Sequence, residues 1–205
     1  MLVTQLDNSK SLLEEAYDLC QEGEYTLALE YYNLVLFKEP KNLMALIDKG
    51  VTLQNLGKYR QAIKCYDMVL EVNPKNLLAL IDKGVTLQNL EKYRQAIKCY
   101  DKVLQLDPRN KTTLVNKGSA LHSIEKYHDA IDCYDMALKI DPKYAMAIAY
   151  KGLALGELGL LKQAIKCFNE ALKIDKKYDL ALDNKSIALQ LLKANDKLKP
   201  KLQKP

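Results

Sequence analysis

Hydrophobic residues recur along the chain at spacings of three and four, over short segments that glycine and proline separate. Such spacing predicts helices with one apolar face. In residues 43–56 that face carries Leu46, Ile47, Leu53 and Leu56. In residues 59–72 it carries Tyr59, Ala62, Ile63, Tyr66, Val69 and Leu70. Gly57 fits a turn between the two helices and Pro74 cannot continue the second, so the pattern predicts a helix–turn–helix pair.

This pair repeats every 34 residues. Residues 43–76 and 77–110 differ at only 7 of 34 positions, so they are copies of one block. The recurring positions are Pro40, Pro74, Pro108 and Pro142; Tyr25, Tyr59, Tyr93 and Tyr127; Ala28, Ala62, Ala96, Ala130 and Ala164; and Gly50, Gly84, Gly118 and Gly152. A period of this length is typical of solenoid proteins built from stacked helical hairpins.

The recurring glycine lies in the middle of the first predicted helix of each pair. Glycine costs about 1 kcal/mol relative to alanine in a helix interior. Ala62 and its equivalents lie on the facing helix. We therefore expect Gly50 and Ala62 to let the paired helices approach closely, so that packing offsets the cost in helix propensity.

The order Gly50, Tyr59, Ala62, Tyr66, Val69, Pro74 resembles the tetratricopeptide repeat (TPR) family. The resemblance implies an all-α fold, a right-handed superhelical solenoid of helix–turn–helix repeats spanning residues 1–192. The five predicted repeats are 9–42, 43–76, 77–110, 111–144 and 145–178. A single helix over 179–192, with Ser186 in the glycine position, is predicted to cap the stack, and residues 193–205 are predicted to form a basic Lys/Pro tail.

Charge and targeting signals narrow the classes of function. The net charge of +5 divides into −5 for residues 1–42, +6 for residues 43–192 and +4 for residues 193–205. A body this close to neutral argues against non-specific nucleic-acid binding. No segment approaches the roughly 20 apolar residues of a membrane span, and the start lacks the features of a signal peptide. We expect a cytoplasmic protein with reduced cysteines.

The sequence offers no catalytic constellation. His122 and His128 have no evident partner for acid–base chemistry. Cys65, Cys99, Cys133 and Cys167 recur at the repeat period rather than at the spacing of a zinc site, and we interpret them as half-buried packing residues. Neither an enzyme activity nor a cofactor nor a metal site is expected. Lys64 lies three residues before Asp67, which suggests an ion pair within the second helix.

The resemblance implies that the first helices line a concave groove that binds a peptide or a helix of a partner protein. The predicted contact residues are Met44, Ile47, Asp48, Val51, Gln54, Leu78, Ile81, Asp82, Val85, Gln88, Asn116, Ser119 and Tyr150. The same register also places on this face Asn55, Asn89, Thr112, Val115, His122, Ser123, Met146, Ala149 and Leu153. Because apolar side chains alternate with carboxylates and amides, the expected partner segment is apolar with some basic residues.

Some members of the family grip the acidic C-terminal tail of heat-shock chaperones with a clamp of Lys, Asn and Arg. The equivalent positions here hold Leu13, Tyr17, Asp48, Leu78 and Asp82. Two acids would repel a ligand with two carboxylates, so we expect weak or no binding of such a tail.

Other interpretations stay open. The chain can be a scaffold that associates head to tail, since its start is acidic and its tail is basic. It can be the regulatory segment of an enzyme, although no separate catalytic domain is evident. The acids of the groove can simply pair with Lys49 or Lys83, or keep an empty surface soluble. We rank a non-enzymatic adaptor first.

Overall fold

The computed structural model describes residues 8–198, with side chains to residue 195, and within this part of the chain the α-helix is the only regular secondary structure. The helices are α1 (Ser9–Glu22), α2 (Tyr25–Lys38), α3 (Leu43–Asn55), α4 (Tyr59–Val72), α5 (Leu77–Asn89), α6 (Tyr93–Leu106), α7 (Lys111–Ser123), α8 (Tyr127–Ile140), α9 (Ala145–Glu157), α10 (Leu161–Ile174) and α11 (Asp179–Leu198). Helices α1–α6 form one compact body and α7–α11 form a second, here the N-terminal and C-terminal bodies.

Each predicted repeat contains one pair of antiparallel neighbours, a first helix and a second helix. Within each body every helix packs against the next, and the first helices of adjacent repeats also touch, as α3 does with α1 and α5. An asparagine begins most first helices of the array. The Asn42 side chain accepts a hydrogen bond of 3.0 Å from the Ala45 backbone N–H, and Asn76 and Asn110 cap α5 and α7 in the same way.

The recurring glycine makes room for an aromatic ring of its own repeat. A β-carbon on Gly50 would meet Tyr66 Cε1 at 2.5 Å, and one on Gly152 would meet Phe168 Cε1 at 2.7 Å. The rings of Tyr66 and Phe168 are fully buried, as is Ala62. The predicted close approach of the paired helices is present, and its main partner is the aromatic ring rather than Ala62.

Polar contacts also join neighbouring repeats. Lys83 Nζ pairs with Asp67, and Lys151 Nζ lies 2.6 Å from Asp135 Oδ1, 16 residues earlier in each case. The expected pairing of Asp67 with Lys64 is therefore wrong. Lys83 is half-buried on the first helix of the next repeat, where a partly desolvated ammonium needs an acceptor, whereas Lys64 is exposed to water.

The last helix is longer than predicted. Helix α11 continues to Leu198, six residues past the predicted end of the capping helix at residue 192, so the predicted tail begins as helix. Residues 193–198 contain good helix formers, and the sequence turns unfavourable only at Lys199, which precedes Pro200. The remainder of the predicted tail, 199–205, lies outside the described residues. Among the described residues, no helix combines the length and the apolar composition of a membrane span.

Candidate functional site

Two carboxylates on adjacent first helices define the candidate site. Asp48 and Asp82 occupy the same position of α3 and α5, which touch each other. Burial raises the pKa of Asp48. Burial, and then the negative charge of Asp48, raise the pKa of Asp82 to about 6. The two acids therefore share one surface of the N-terminal body and repel each other when both are ionised.

The nearby lysines do not neutralise these acids. Lys83 pairs with Asp67, and Lys49 Nζ donates a hydrogen bond of 2.6 Å to Asn33 Oδ1. The interpretation in which the acids pair with Lys49 or Lys83 is therefore wrong. Both lysines point toward the second helix of the preceding repeat, because their positions, one residue after the acids, lie about 100° further around the helix.

The predicted contact residues fall into two classes of exposure. Met44, Leu78 and Val51 are exposed. The half-buried members are Ile47, Asp48, Gln54, Ile81, Asp82, Val85, Gln88, Asn116, Ser119 and Tyr150. Val115 and Ala149, which share the predicted inner face, are buried and are not available to a ligand. Their side chains are shorter than that of Ile47 at the same repeat position and end inside the packed helices.

The predicted glutamines are already bonded within the protein. Gln54 Oε1 accepts a hydrogen bond of 2.5 Å from Thr86 Oγ1, which joins α3 to α5. Gln88 Oε1 accepts one of 2.5 Å from the Tyr100 hydroxyl, which joins α5 to α6. Both amide oxygens therefore stabilise the surface on which Asp48 and Asp82 lie.

A pocket of about 390 Å³ opens beside Asp48, between α1 and α3. Its walls include the aromatic rings of Tyr17 and Tyr25, and Val51 and Asn55 complete the side that α3 contributes. At its floor Cys20 Sγ lies 3.3 Å from Thr52 Oγ1. The sequence prediction did not include Tyr25 or Cys20, although Tyr25 recurs at the repeat period and marks where a second helix returns toward the first.

The C-terminal body presents a different surface. The ring of Tyr150 stacks on that of Tyr134 with centroids 6.0 Å apart, and His122 meets Tyr127 edge-on at 5.1 Å. Burial lowers the pKa of His122. Within the described residues, neither His122 Nε2 nor the Tyr134 hydroxyl has a hydrogen-bond partner.

We find no metal site in the described part of the chain: residues 8–195 contain no group of three His, Cys, Asp or Glu side chains that could hold an ion. None of the five cysteines forms a disulfide, and burial raises the pKa values of the Cys65 and Cys99 thiols. A raised pKa keeps a thiol protonated and poorly nucleophilic.

Comparisons with known proteins agree with this architecture. Residues 12–128 match the family model described as Psidin, N-terminal TPR repeats region, and residues 151–178 match the model described as Tetratricopeptide repeat. None of the curated proteins matches the sequence.

Solved structures share the fold at low sequence identity. A tetratricopeptide repeat protein from Parabacteroides merdae is 19% identical, with a TM-score of 0.80 over 94% of this chain and 76% of that one. MamA from Desulfovibrio magneticus is 22% identical, with a TM-score of 0.76 over 84% and 98%. YrrB, described as a TPR protein with an unusual peptide-binding site, is 19% identical, with a TM-score of 0.69 over 87% and 92%. The predicted fold class, an all-α solenoid of helical hairpins, is confirmed.

Proposed function

Because the chain belongs to the tetratricopeptide repeat family, we propose that it is a non-enzymatic adaptor of the cytoplasm that holds a segment of a partner protein. The segment lies against the first helices, with its main contacts on α3 and α5. The observation that carries this proposal is the pair Asp48 and Asp82, half-buried carboxylates to which the described residues supply no cation. A ligand that brings a cation relieves their repulsion.

The surface around the two acids defines the chemistry of the partner. Met44, Val51 and Leu78 are exposed apolar side chains on the same helices. They favour a segment with apolar residues, since removing apolar surface from water is favourable by roughly 25 cal/mol per Å². The acids favour lysine or arginine at positions between those apolar residues. The partner segment is therefore apolar and basic, as an extended strand or one face of a helix.

The pocket beside Asp48 is suited to the end of a basic side chain. Tyr17 and Tyr25 contribute ring surface, and a cation within about 6 Å of a ring centroid is attracted to its face. The Asp48 carboxylate supplies the opposite charge. An aliphatic stem packing along Val51 would complete the contact.

A pair of synthetic peptides tests the charge preference directly. One peptide is leucine-rich with interspersed lysines, and the other carries glutamate at every lysine position. Fluorescence anisotropy should show binding of the lysine peptide and none of the glutamate peptide. Equal binding of both peptides, or binding of neither, would overturn the proposal.

Charge reversal of the site locates the contact. Asp48→Lys/Asp82→Lys should abolish binding of the lysine peptide. The control Glu30→Lys/Glu71→Lys makes the same change in net charge at exposed positions of α2 and α4, and should bind like the parent chain. If both double variants lose binding equally, the effect comes from overall charge, and the site is not on α3 and α5.

An acidic peptide with a free carboxyl terminus, which imitates a chaperone tail, is expected to bind weakly or not at all. Tyr17, Asp48 and Asp82 occupy positions where a clamp would need Lys, Asn or Arg. Micromolar binding of that peptide, lost on changing Asn116, would contradict this expectation.

A further inference from the structure

Helix α11 exposes the side that other first helices bury against their own second helix. Leu46 and Leu53 of α3 are 2% and 3% exposed because α4 covers them. Leu182 and Leu189 hold the same repeat positions on α11 and are 44% and 37% exposed. No second helix follows α11 within the described residues. One side of α11 therefore exposes the positions that a neighbouring helix covers in the other repeats.

The residues on that side form one seam. They are spaced by three, four, three and four positions, which is the seam spacing of paired helices, and all five are exposed: Asp179, Leu182, Ser186, Leu189 and Lys193. Ser186 lies at the centre. Asp179 lies seven residues before it and Lys193 seven residues after it, so the two ends carry opposite charges at equal distances.

We infer that the occupant of this seam is α11 of a second copy of the chain, packed antiparallel about a two-fold axis at Ser186. Such an axis brings Asp179 of one copy to Lys193 of the other, twice in each dimer. It places Leu182 beside Leu189 of the opposite copy, and the small Ser186 side chains meet where the helices cross. A two-fold interface requires a self-complementary surface, and this seam satisfies that requirement in the order of its charged, apolar and small residues.

The charge pattern selects the antiparallel arrangement. A parallel pair would place Asp179 against Asp179 and Lys193 against Lys193, and like charges in contact destabilise an interface. The apolar residues Ile187 and Leu191 lie off the seam and line a pocket with Leu153 of α9. The antiparallel pair therefore leaves that pocket open.

The oligomeric state of the full chain tests the inference. Sedimentation velocity over a range of protein concentrations should show a monomer–dimer equilibrium. Leu182→Glu/Leu189→Glu should make the chain monomeric without unfolding it, because both side chains are exposed. The matched control Ile187→Glu/Leu191→Glu adds the same charge to exposed apolar positions of α11 off the seam, and should dimerise like the parent chain.

The orientation has its own test. Asp179→Lys and Lys193→Asp should each weaken the dimer roughly tenfold, because two ion pairs are lost together. The double variant Asp179→Lys/Lys193→Asp should restore dimerisation, since the antiparallel pairs re-form with their signs exchanged.

Three results would overturn the inference: a parent chain that stays monomeric, seam variants that dimerise like the parent, or a double variant no tighter than the single variants. The first would leave the seam to a helix of another protein. The second would place self-association elsewhere, and the third would reject the antiparallel geometry.

Discussion

The Tyr66 ring lies so close to Gly50 that a β-carbon added to Gly50 would meet Tyr66 Cε1 at 2.5 Å. Gly→Ala in a helix interior ordinarily stabilises by about 1 kcal/mol. Here the buried ring has no room to move, and overpacking of this kind costs about 1–3 kcal/mol. We expect Gly50→Ala to lower the free energy of unfolding by about 2 kcal/mol in urea denaturation.

Gly156 provides the control for Gly50. It also belongs to a first helix, in the last turn of α9, but nothing lies within 4 Å of the β-carbon that alanine would add. Gly156→Ala should therefore stabilise the protein by up to about 1 kcal/mol. If both substitutions change stability in the same direction, the ring contact does not explain why glycine recurs.

Glu91 adopts a left-handed backbone conformation, and the preceding repeat has a glycine at this position. Its φ is 57°, and Gly57 at the same repeat position has φ 70°. A side chain in this region costs about 1 kcal/mol or more. We expect Glu91→Gly to raise the thermal unfolding midpoint and Gly57→Glu to lower it, so the two reciprocal changes test one cause. A lower midpoint for Glu91→Gly would mean that the Glu91 side chain makes compensating contacts.

Tyr134 and Tyr100 occupy the same repeat position with different hydrogen bonding. The Tyr100 hydroxyl donates to Gln88, whereas the buried Tyr134 hydroxyl has no partner among the described residues. Leaving a buried polar group unpaired costs about 1–3 kcal/mol. Tyr134→Phe should therefore be neutral or stabilising, and Tyr100→Phe should destabilise by about 1 kcal/mol in urea denaturation. Phe168 already stands at this position in the next repeat. Equal losses for both variants would contradict this account.

Asp82 should make stability fall as the pH rises. Burial and the Asp48 charge raise its pKa in the folded protein to about 6, above the value of about 3.9 for an unfolded chain. The folded state therefore holds the proton more tightly, and the stabilisation is present below about pH 4 and is lost as the pH rises through about 6. Asp82→Asn should raise the thermal midpoint at pH 8 and leave it nearly unchanged at pH 4.

Asp67→Asn serves as the control for Asp82→Asn, because it removes a carboxylate that pairs with Lys83. It should give no gain at pH 8. A gain equal to that of Asp82→Asn would mean that the benefit comes from removing negative charge in general. Protonation of Asp82 also removes a negative charge that attracts lysine. The lysine peptide should therefore bind more weakly at pH 5 than at pH 8.

The helical pairs could be predicted from the sequence because each needs only local information. Apolar residues at three- and four-residue spacing, Gly57 at the turn and Pro74 after the second helix are all visible within one repeat. The recurring glycine also indicated that the paired helices approach closely at that position. The sequence did not identify the ring of Tyr66 as the contacting group, because an apolar pattern does not say which side chain fills the space.

The contacts between repeats could not be predicted from the spacing of hydrophobic and polar residues. Lys83 bonds Asp67 across 16 residues, and the nearer Lys64 was the natural expectation. Val115 has the same repeat position as Ile47, yet its shorter side chain is buried. The acids of the candidate site followed from the repeat register, whereas the pocket beside Asp48 depends on how α1 packs against α3.

The asparagine cap and the glycine–tyrosine contact have a consequence for how such a chain changes over generations. A 34-residue stretch that begins at Asn42 carries its own cap, both helices, Gly50 and Tyr66. Duplication or loss of the corresponding DNA adds or removes a whole hairpin with its internal contacts intact. Each added hairpin like this one also brings another aspartate to the same side. Recombination between copies therefore changes the length and the charge of the surface in the same step.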